Sequence, residues 1–325
     1  MLTDPRPRAL VTGGAGFLGS HVCESLLVTG FHVVCLDNLA TGNLRNIETL
    51  MAEPRFTLLL MDIAQGGPEA SDFDLVLHLA SPTSPFQYSA MPIDILRAGS
   101  RGTWHALETA RRCDARFVLA STSKVYGQSA GEPVGETNLG LVPPTGNDRW
   151  VYDASRFAEA LTSTYRRDHR VATGIVRIFD TYGPAMRADD DGVVSTFLQH
   201  ALDGAPLTVQ DDGAQTRSFC YVADTVDAIL RMATSLHPGP INIGNPETIS
   251  ILDLADQIIK LTGSSSEIQY VERPPHDPVA HRPDISLATS QLGWMPRTSL
   301  AAGLARTAHS QMVARPESGR TIQVH

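Results

Sequence analysis

The sequence is short of positive charge, paired cysteines and long apolar runs. Its formal net charge is -9, which argues against a nucleic-acid partner because that affinity comes largely from Lys and Arg side chains displacing counterions. No stretch of about 18 consecutive apolar residues occurs, and no apolar segment precedes the first predicted strand. We therefore expect a cytoplasmic protein without a membrane or nucleic-acid partner.

The four cysteines are scattered along the chain. Cys23, Cys35, Cys113 and Cys220 form no Cys-x-x-Cys pair and have no nearby histidines at zinc-ligand spacing. Free buried thiols are the expectation, and no metal site is predicted. The composition, 42% hydrophobic and 19% charged, is typical of packed globular proteins.

The first half alternates short apolar runs with longer amphipathic segments, a pattern typical of βαβ units. Strands are predicted over residues 9–12, 32–36, 56–61, 75–79, 117–120 and 173–178, and helices over 17–28, 93–112 and 154–167. Right-handed crossovers would wind these elements into a doubly wound parallel sheet of the Rossmann type. The predicted fold class is α/β.

After Gly183 the pattern loosens, with more Pro and Gly, an acidic loop at residues 189–191, and helices near 193–202 and 251–261. We expect a Rossmann domain over residues 1–180, rejoined by the strand-plus-helix segment 218–238. A smaller α/β substrate lobe is expected over 181–217 and 239–312. Residues 313–325 lack periodicity and are expected to form a flexible tail.

A glycine-rich turn follows the first predicted strand and opens the first predicted helix, which is the setting of a dinucleotide site. Gly13 permits a tight turn, Gly16 lets backbone N–H groups approach a pyrophosphate, and Gly19 lets the helix pack closely on the strand. Eighteen residues beyond Gly19, the second strand ends at Asp37. A carboxylate there would meet the adenosine ribose and favours NAD over NADP.

A simpler interpretation is that the glycines form an ordinary loop and Asp37 caps a turn. The order of strand, loop, helix, strand and acid makes that interpretation much the weaker one. Asp62, at the end of the third strand, could bind the adenine or could equally be a turn residue.

Several motifs occur in the order found in extended short-chain dehydrogenases/reductases. They are TGGAGFLGSH, HLASPTSP, STSKVYG, YDASR, RIFDTYGP, QTRSFCYV, GNPETISILDLA, and RPDI followed by LGWMP. Over residues 8–308 the chain resembles the NAD-dependent epimerase/dehydratase group, and it looks most similar to the UDP-glucuronate decarboxylase branch.

The resemblance implies transient oxidation of a sugar hydroxyl, with NAD taking the hydride and a tyrosinate taking the proton. The resulting ketone acidifies its α-position, so elimination, epimerisation or decarboxylation can follow. By motif position Tyr152 is the base and Thr122 holds the reacting oxygen. The implied catalytic residues are Tyr152, Arg156, Thr122, Ser123 and Lys124. The implied cofactor contacts are Gly13, Gly16, Phe17, Leu18, Asp37, Asn38, Asp62, Ile63, Leu79, Ala80, Ser81, Tyr152 and Arg156. The implied substrate contacts are Ser81, Thr122, Asp180, Arg187, Arg217, His281 and Arg282.

Two departures from the family's pattern fall among the catalytic positions. Arg156 stands where the family has the lysine of Tyr-x-x-x-Lys, which lowers the tyrosine pKa and contacts the nicotinamide ribose. Arginine keeps the charge but changes the reach and the donor geometry. Lys124 stands where related decarboxylases and dehydratases carry glutamate. It could act as acid or base, it could replace the missing lysine charge, or it could be a solvated residue at a strand end.

A third departure falls in the substrate lobe. Asp180 replaces the usual asparagine, Ala185 replaces an arginine after Gly-Pro, and His281 aligns with a carboxylate-binding arginine, although Arg282 is adjacent. Adding an anion and losing cations disfavours a nucleotide diphosphate that bears a carboxylate. Arg217 matches an arginine that contacts the nucleotide, or it forms a surface ion pair, and Arg187 could restore some positive charge.

These features leave three hypotheses for the function. The first is a dehydratase-type lyase that acts on a nucleoside or nucleotide sugar, for example by 3'-oxidation of a furanose followed by loss of the 5'-hydroxyl. The second is a UDP-glucuronate decarboxylase or nucleotide-sugar 4-epimerase. The third is a non-catalytic NAD-binding protein. The resemblance alone also implies a homodimer built on the helices at 93–112 and 154–167.

Overall fold

The computed structural model describes residues 6–69, 72–81, 91–127, 133–141, 149–187, 192–272 and 282–314. The acidic loop 189–191, His281 and the predicted tail beyond residue 314 lie outside these ranges. A seven-stranded sheet, parallel throughout, forms the centre in the order β11-β6-β5-β4-β1-β2-β3. Its strands are β1 (Arg8–Thr12), β2 (His32–Asp37), β3 (Phe56–Leu60), β4 (Leu75–His78), β5 (Arg116–Thr122), β6 (Thr173–Ile178) and β11 (Ile241–Ile243).

Helices cover both faces of this sheet. They are α1 (Phe17–Val28), α2 (Pro92–Arg97), α3 (Thr103–Cys113), α4 (Arg149–His169) and α6 (Val222–Thr234). Side chains alternate between the faces, since Leu10 and Val76 join one buried cluster and Val11 and Leu77 join another. Because both faces are covered, apolar residues fill most interior positions of the strands.

The predicted helix over 93–112 is interrupted by a π-helical turn, Ala98–Gly102, between α2 and α3. A Cβ at Gly99 would lie 2.9 Å from the Cβ of Ala154, so the glycine lets this turn approach α4 closely. α4 itself begins five residues before the predicted segment and contains Tyr152 in its first turns.

The smaller lobe is built from two helices and three two-stranded pairings. These elements are α5 (Val193–Asp203), α7 (Ile251–Thr262), β7 (Thr181–Tyr182) with β10 (Cys220–Tyr221), β8 (Leu207–Gln210) with β13 (Ile268–Val271), and β9 (Thr216–Ser218) with β12 (Thr248–Ser250). α8 (Ser286–Leu292) and α9 (Leu300–Ala314) complete the described chain. Within the described ranges, no helix combines the length and apolarity needed to cross a bilayer.

One strand of the central sheet comes from a segment that was expected in the smaller lobe. β11 pairs in parallel with β6, with Ile241 opposite Val176 and Ile243 opposite Ile178. Its three residues are too few to display a period in the sequence. α6, which precedes β11, packs on α1, β5 and β6, so the chain returns to the sheet from residue 222 through residue 243.

Candidate active site

The glycine turn lies where β1 ends and α1 begins. Gly13 has a φ of +72°, and a Cβ on it would stand 2.9 Å from the backbone of Ala80. The Gly16 amide donates to the Gly13 carbonyl at 3.1 Å, and a Cβ on Gly19 would lie 2.7 Å from the Cα of Gly14. Each glycine therefore meets a steric requirement, and α1 directs its N-terminus at the cleft beside β4.

Asp37 lies at the end of β2 beside that turn. Its carboxylate accepts the amides of Ala15 at 2.9 Å and Leu39 at 2.8 Å. It lines a cavity of about 290 Å³ with Asn38, Asp62 and Ile63. Asp62 also accepts the amide of Ala64 at 2.9 Å, so it combines a turn-capping role with a position in this cavity.

A second cavity, of about 260 Å³, lies on the other side of the glycine turn. Both cavities share Gly13, Gly16, Leu79, Ala80 and Ser81. They open at the carboxyl ends of the strands, next to β1, where the strand order reverses; in doubly wound sheets ligands bind at this point. We call the second cavity the reaction cavity. It is also lined by Phe17, Leu18, Thr122, Ser123, Lys124, Asp180 and Arg187.

The residues that follow β5 form one wall of the reaction cavity. Thr122 caps the short 3-10 turn Ser123–Tyr126, since its Oγ1 accepts the amide of Lys124 at 3.2 Å. Ser121, just before it, donates to Glu159 on α4 at 2.6 Å. The chain contains only two lysines, Lys124 and Lys260, and Lys260 is exposed on α7.

α4 contributes small side chains to the opposite wall. Among the described residues, Ala154, Ser155 and Ala158 of this helix line the reaction cavity, and half-buried Tyr152 lies at the same end of the helix. Arg156 turns elsewhere: its Nη2 donates to the carbonyls of Val125 at 2.7 Å and Leu139 at 2.9 Å. Arg156 is not among the described residues that line the two cavities, so this placement differs from the expected cofactor contact.

The charged residues of the substrate lobe are partly paired with one another. Asp180 lines the reaction cavity, and its carboxylate lies 3.7 Å from the guanidinium of Arg217, which is 20% exposed. Arg187 lines the same cavity and donates to the Thr41 carbonyl at 3.3 Å. The arginine expected to contact the nucleotide therefore already has an anionic partner.

Of the two remaining expected substrate contacts, only Arg282 falls among the described residues. His281 lies outside the described residues. Arg282 lines a separate surface depression with Pro246 and Ser286, and its backbone carbonyl accepts the amide of Val134 at 2.8 Å.

The structure adds lining residues that the motifs did not single out. His78 lies fully buried at the end of β4, with Nδ1 at 2.7 Å from Thr12 Oγ1 and Nε2 at 3.2 Å from Thr103 Oγ1. Burial lowers its pKa to about 4. Asn46 donates to the Ala15 carbonyl at 3.0 Å. A polar residue inside the apolar run VLHLA was a signal for His78, whereas Asn46 lies in a loop with no such signal.

This geometry fits a dinucleotide. Two cavities meet at a glycine turn in which Gly13 and Gly19 leave no room for a side chain, and the N-terminus of α1 faces them. Asp37 would lie beside the adenosine ribose of a bound dinucleotide, where its charge would repel a 2'-phosphate. The fold and site define an NAD-binding, doubly wound α/β enzyme with a smaller lobe beside the reaction cavity.

The chain belongs to the NAD dependent epimerase/dehydratase family, whose model matches residues 9–244. It is 42% identical over 302 residues to UDP-glucuronic acid decarboxylase 3 of Arabidopsis thaliana, covering 93% of this chain and 88% of that protein. A UDP-glucuronic acid 4-epimerase from Bacillus cereus, solved with UDP-glucuronic acid and NAD, superposes with a TM-score of 0.84 at 30% identity, covering 94% of this chain and 99% of that one. An NAD-dependent NDP-hexosamine 5,6-dehydratase of tunicamycin biosynthesis superposes with a TM-score of 0.83 at 27% identity, covering 95% and 99%.

Proposed function

We propose that the protein is a dehydratase-type lyase that oxidises a hydroxyl of a nucleoside or nucleotide sugar transiently. The observation that carries this proposal is the ion pair between Asp180 and Arg217 at 3.7 Å. A substrate diphosphate would compete with Asp180 for Arg217 and would meet a carboxylate in the reaction cavity. A sugar with little negative charge avoids both costs.

NAD, when bound, accepts a hydride from a sugar carbon and returns it later. On a furanose, Tyr152 takes the proton of the 3'-hydroxyl as the hydride leaves C3', which produces a ketone, while Thr122 donates a hydrogen bond to the reacting oxygen. Lys124 then transfers the acidified 4'-proton to the departing 5'-hydroxide, and water is lost. Tyr152 returns its proton to the oxygen on C3' as that carbon is reduced again, so no net oxidation occurs.

The test is turnover by the purified protein with NAD, followed by mass spectrometry of nucleosides, nucleoside monophosphates and nucleotide sugars. We expect loss of water from a substrate without a diphosphate, and retention of a deuterium label placed at the oxidised carbon. Efficient turnover of only diphosphate sugars would contradict the proposal, and loss of the deuterium to solvent would contradict the returned hydride.

The second candidate is decarboxylation or 4-epimerisation of UDP-glucuronate. The 42% identity to a UDP-glucuronic acid decarboxylase favours it, as does Arg187 in the reaction cavity. Released carbon dioxide or an epimeric sugar identifies this outcome. A protein that binds NAD but turns over none of these compounds would match the non-catalytic alternative.

The variant Asp180→Asn separates the two candidates. Removing the carboxylate releases Arg217, so the affinity for a nucleoside diphosphate should rise about tenfold, the equivalent of about 1.4 kcal/mol. The matched control is Asp227→Asn, since Asp227 pairs with Arg231 on the surface of α6 at 2.9 Å and lies outside the reaction cavity. Unchanged diphosphate affinity in Asp180→Asn would show that the ion pair does not determine substrate charge.

We also propose that two copies of the chain associate. Trp104 on α3 and Phe157 on α4 are 47% and 51% exposed, and Ile93 on α2 is 62% exposed. Because these three helices pack together, their apolar side chains form a surface of the kind that oligomers bury.

A further inference from the structure

Arg156 donates hydrogen bonds to the backbone of two separate segments. Its Nε and Nη2 donate to the Val125 carbonyl at 3.0 and 2.7 Å, and Nη2 also donates to the Leu139 carbonyl at 2.9 Å. A planar guanidinium can satisfy two such acceptors at once, because its donors are fixed in a fork.

The two carbonyls belong to segments that lie against each other. Leu141 donates its amide to the Tyr126 carbonyl at 3.1 Å, and Gly140, at a φ of +68°, approaches so closely that a Cβ would stand 2.7 Å from the Tyr126 carbonyl carbon. Arg156 therefore connects the segment 139–141 to the turn Ser123–Tyr126. This turn places Lys124 in the reaction cavity.

A second residue of α4 holds the other end of this turn. Glu159 accepts a hydrogen bond from Ser121 at 2.6 Å and pairs with Arg177 at 2.7 Å. Arg177 in turn donates to the Tyr126 hydroxyl at 2.9 Å. The turn is thus fixed before Thr122 by Glu159 and after Lys124 by Arg156 and Arg177.

We propose that Arg156 is a positioning residue, which holds the Val125 and Leu139 carbonyls so that the Lys124 amine faces the reaction cavity. This inference rests on the proposed role of Lys124 in proton transfer. A lysine at position 156 would hold the two carbonyls less firmly, since its ammonium lacks the rigid planar fork and is more strongly hydrated.

Because the chain contains only two lysines, the Lys124 amine can be observed directly. Reductive methylation with isotope-labelled formaldehyde marks Lys124, Lys260 and the N-terminal amine, and NMR reads each methyl signal separately without any substrate. Lys260 lies on α7 of the smaller lobe and serves as an internal reference. The variant Lys124→Arg assigns the Lys124 signal, and Lys124→Arg combined with Arg156→Lys assigns it where the new lysine at position 156 is also methylated.

The test compares Arg156→Met, Arg156→Lys and the control Arg167→Met with the wild type. Arg167 is exposed on the same helix and pairs with Asp168 at 2.6 Å. Arg167→Met removes the same charge as Arg156→Met. We expect both Arg156 variants to move the Lys124 signal and to weaken its response to added NAD, with the Lys260 signal unchanged. Arg167→Met should move neither signal.

For the active protein, kcat of the Arg156 variants should fall about 100-fold with KM nearly constant, because misplacing a reacting group by about 1 Å costs that much.

The proposal is overturned if the Lys124 signal stays in place in Arg156→Lys while the dissociation constant for NAD rises, since Arg156 would then be a cofactor contact. It is also overturned if Arg156→Lys matches the wild type in both the signal and kcat. If Arg156→Met fails to fold, Arg156→Lys still decides the outcome. The amine signals need no turnover, so the Lys124 signal can be compared even if the protein processes no sugar. Such a failure would contradict the proposed function but not this proposal.

Discussion

Single residues of the glycine turn have little freedom to change. The φ of Gly13 is one that L side chains rarely adopt, and the space beside it is filled by the backbone of Ala80. A left-handed conformation costs an alanine about 1–2 kcal/mol, and the steric contact with Ala80 adds to that cost only at this position. A second glycine that has a positive φ but open space around it therefore separates the cost of backbone strain from the cost of the steric contact.

Gly13→Ala should weaken NAD binding about tenfold or more, the equivalent of about 1.4 kcal/mol or more, because the turn must move away from Ala80. The matched control is Gly204→Ala, at a φ of +69° with no atom within 4 Å of the added Cβ. That variant should lose only the cost of the backbone conformation, about 1–2 kcal/mol, and keep its NAD affinity. Calorimetric titration with NAD measures the difference, and equal affinities in the two variants would contradict the steric argument.

His78 links one residue to the pH dependence of folding. Its pKa is lowered from 6.5 to about 4 by burial, so the unfolded chain binds more protons than the folded chain between those values. Stability therefore rises with pH across this window and is lost as the pH falls. The full effect is about 3 kcal/mol, since the shift from 6.5 to about 4 is worth 1.36 kcal/mol per pH unit.

In urea denaturation between pH 4 and 7, His78→Asn should show a flatter rise of stability with pH than the wild type. His309→Asn, at an exposed position of α9, should keep the wild-type slope. Identical slopes in His78→Asn and the wild type would mean that this histidine does not supply the pH dependence.

At the scale of elements, α4 is tied to the sheet by a buried ion pair. Glu159 and Arg177 have side chains only 12% and 13% exposed, and the Arg177 guanidinium stacks 4.9 Å from the centre of the Tyr126 ring. Nearby on the same helix, Arg167 and Asp168 form an ion pair whose side chains are 72% and 48% exposed. Both pairs include a residue of α4, so the stability contributed by a buried pair and by an exposed pair can be compared on one helix.

Glu159→Gln should cost about 3 kcal/mol or more of unfolding free energy, because it leaves the Arg177 charge buried without its anion. Asp168→Asn should cost less than about 1 kcal/mol, as exposed pairs contribute little. Urea denaturation of both variants measures these losses. Comparable losses would indicate that the link between α4 and the sheet depends on packing and hydrogen bonds rather than on the buried charge.

At the scale of the whole molecule, the exposed apolar residues of α2, α3 and α4 lie on helices that pack side by side, on the face opposite α1 and α6. The same helices also line the reaction cavity, through Ile95 of α2, Thr103 of α3 and Ala154 of α4. An interface on the outer side would therefore brace the helices that hold the site.

The wild type should behave as a dimer in sedimentation, and Trp104→Glu should shift it to a monomer by placing a charge in the buried surface. Leu236→Glu is the matched control, since Leu236 is 88% exposed and lies outside these helices. A monomeric wild type, or a Trp104→Glu variant that remains a dimer, would contradict the predicted association.

Local pattern was enough to predict much of the sheet and the glycine turn that opens α1. The bounds predicted for α1 and β6, 17–28 and 173–178, are those of the structure, because a glycine turn before a helix and an apolar run between polar loops are signals within a few residues. β11 escaped prediction because three residues show no period. The π-helical turn at Gly99 also escaped, because it depends on how closely α4 approaches.

The sequence by itself determined that NAD is bound, because the glycines and Asp37 owe their roles to backbone conformation and charge within one βαβ unit. Only the tertiary structure decided what surrounds the reaction cavity. It turned Arg156 toward the Val125 and Leu139 carbonyls, placed Lys124 in the reaction cavity, and paired Asp180 with Arg217. These contacts join residues far apart in the chain, and the direction of a long charged side chain depends on acceptors that only the folded chain brings within its reach.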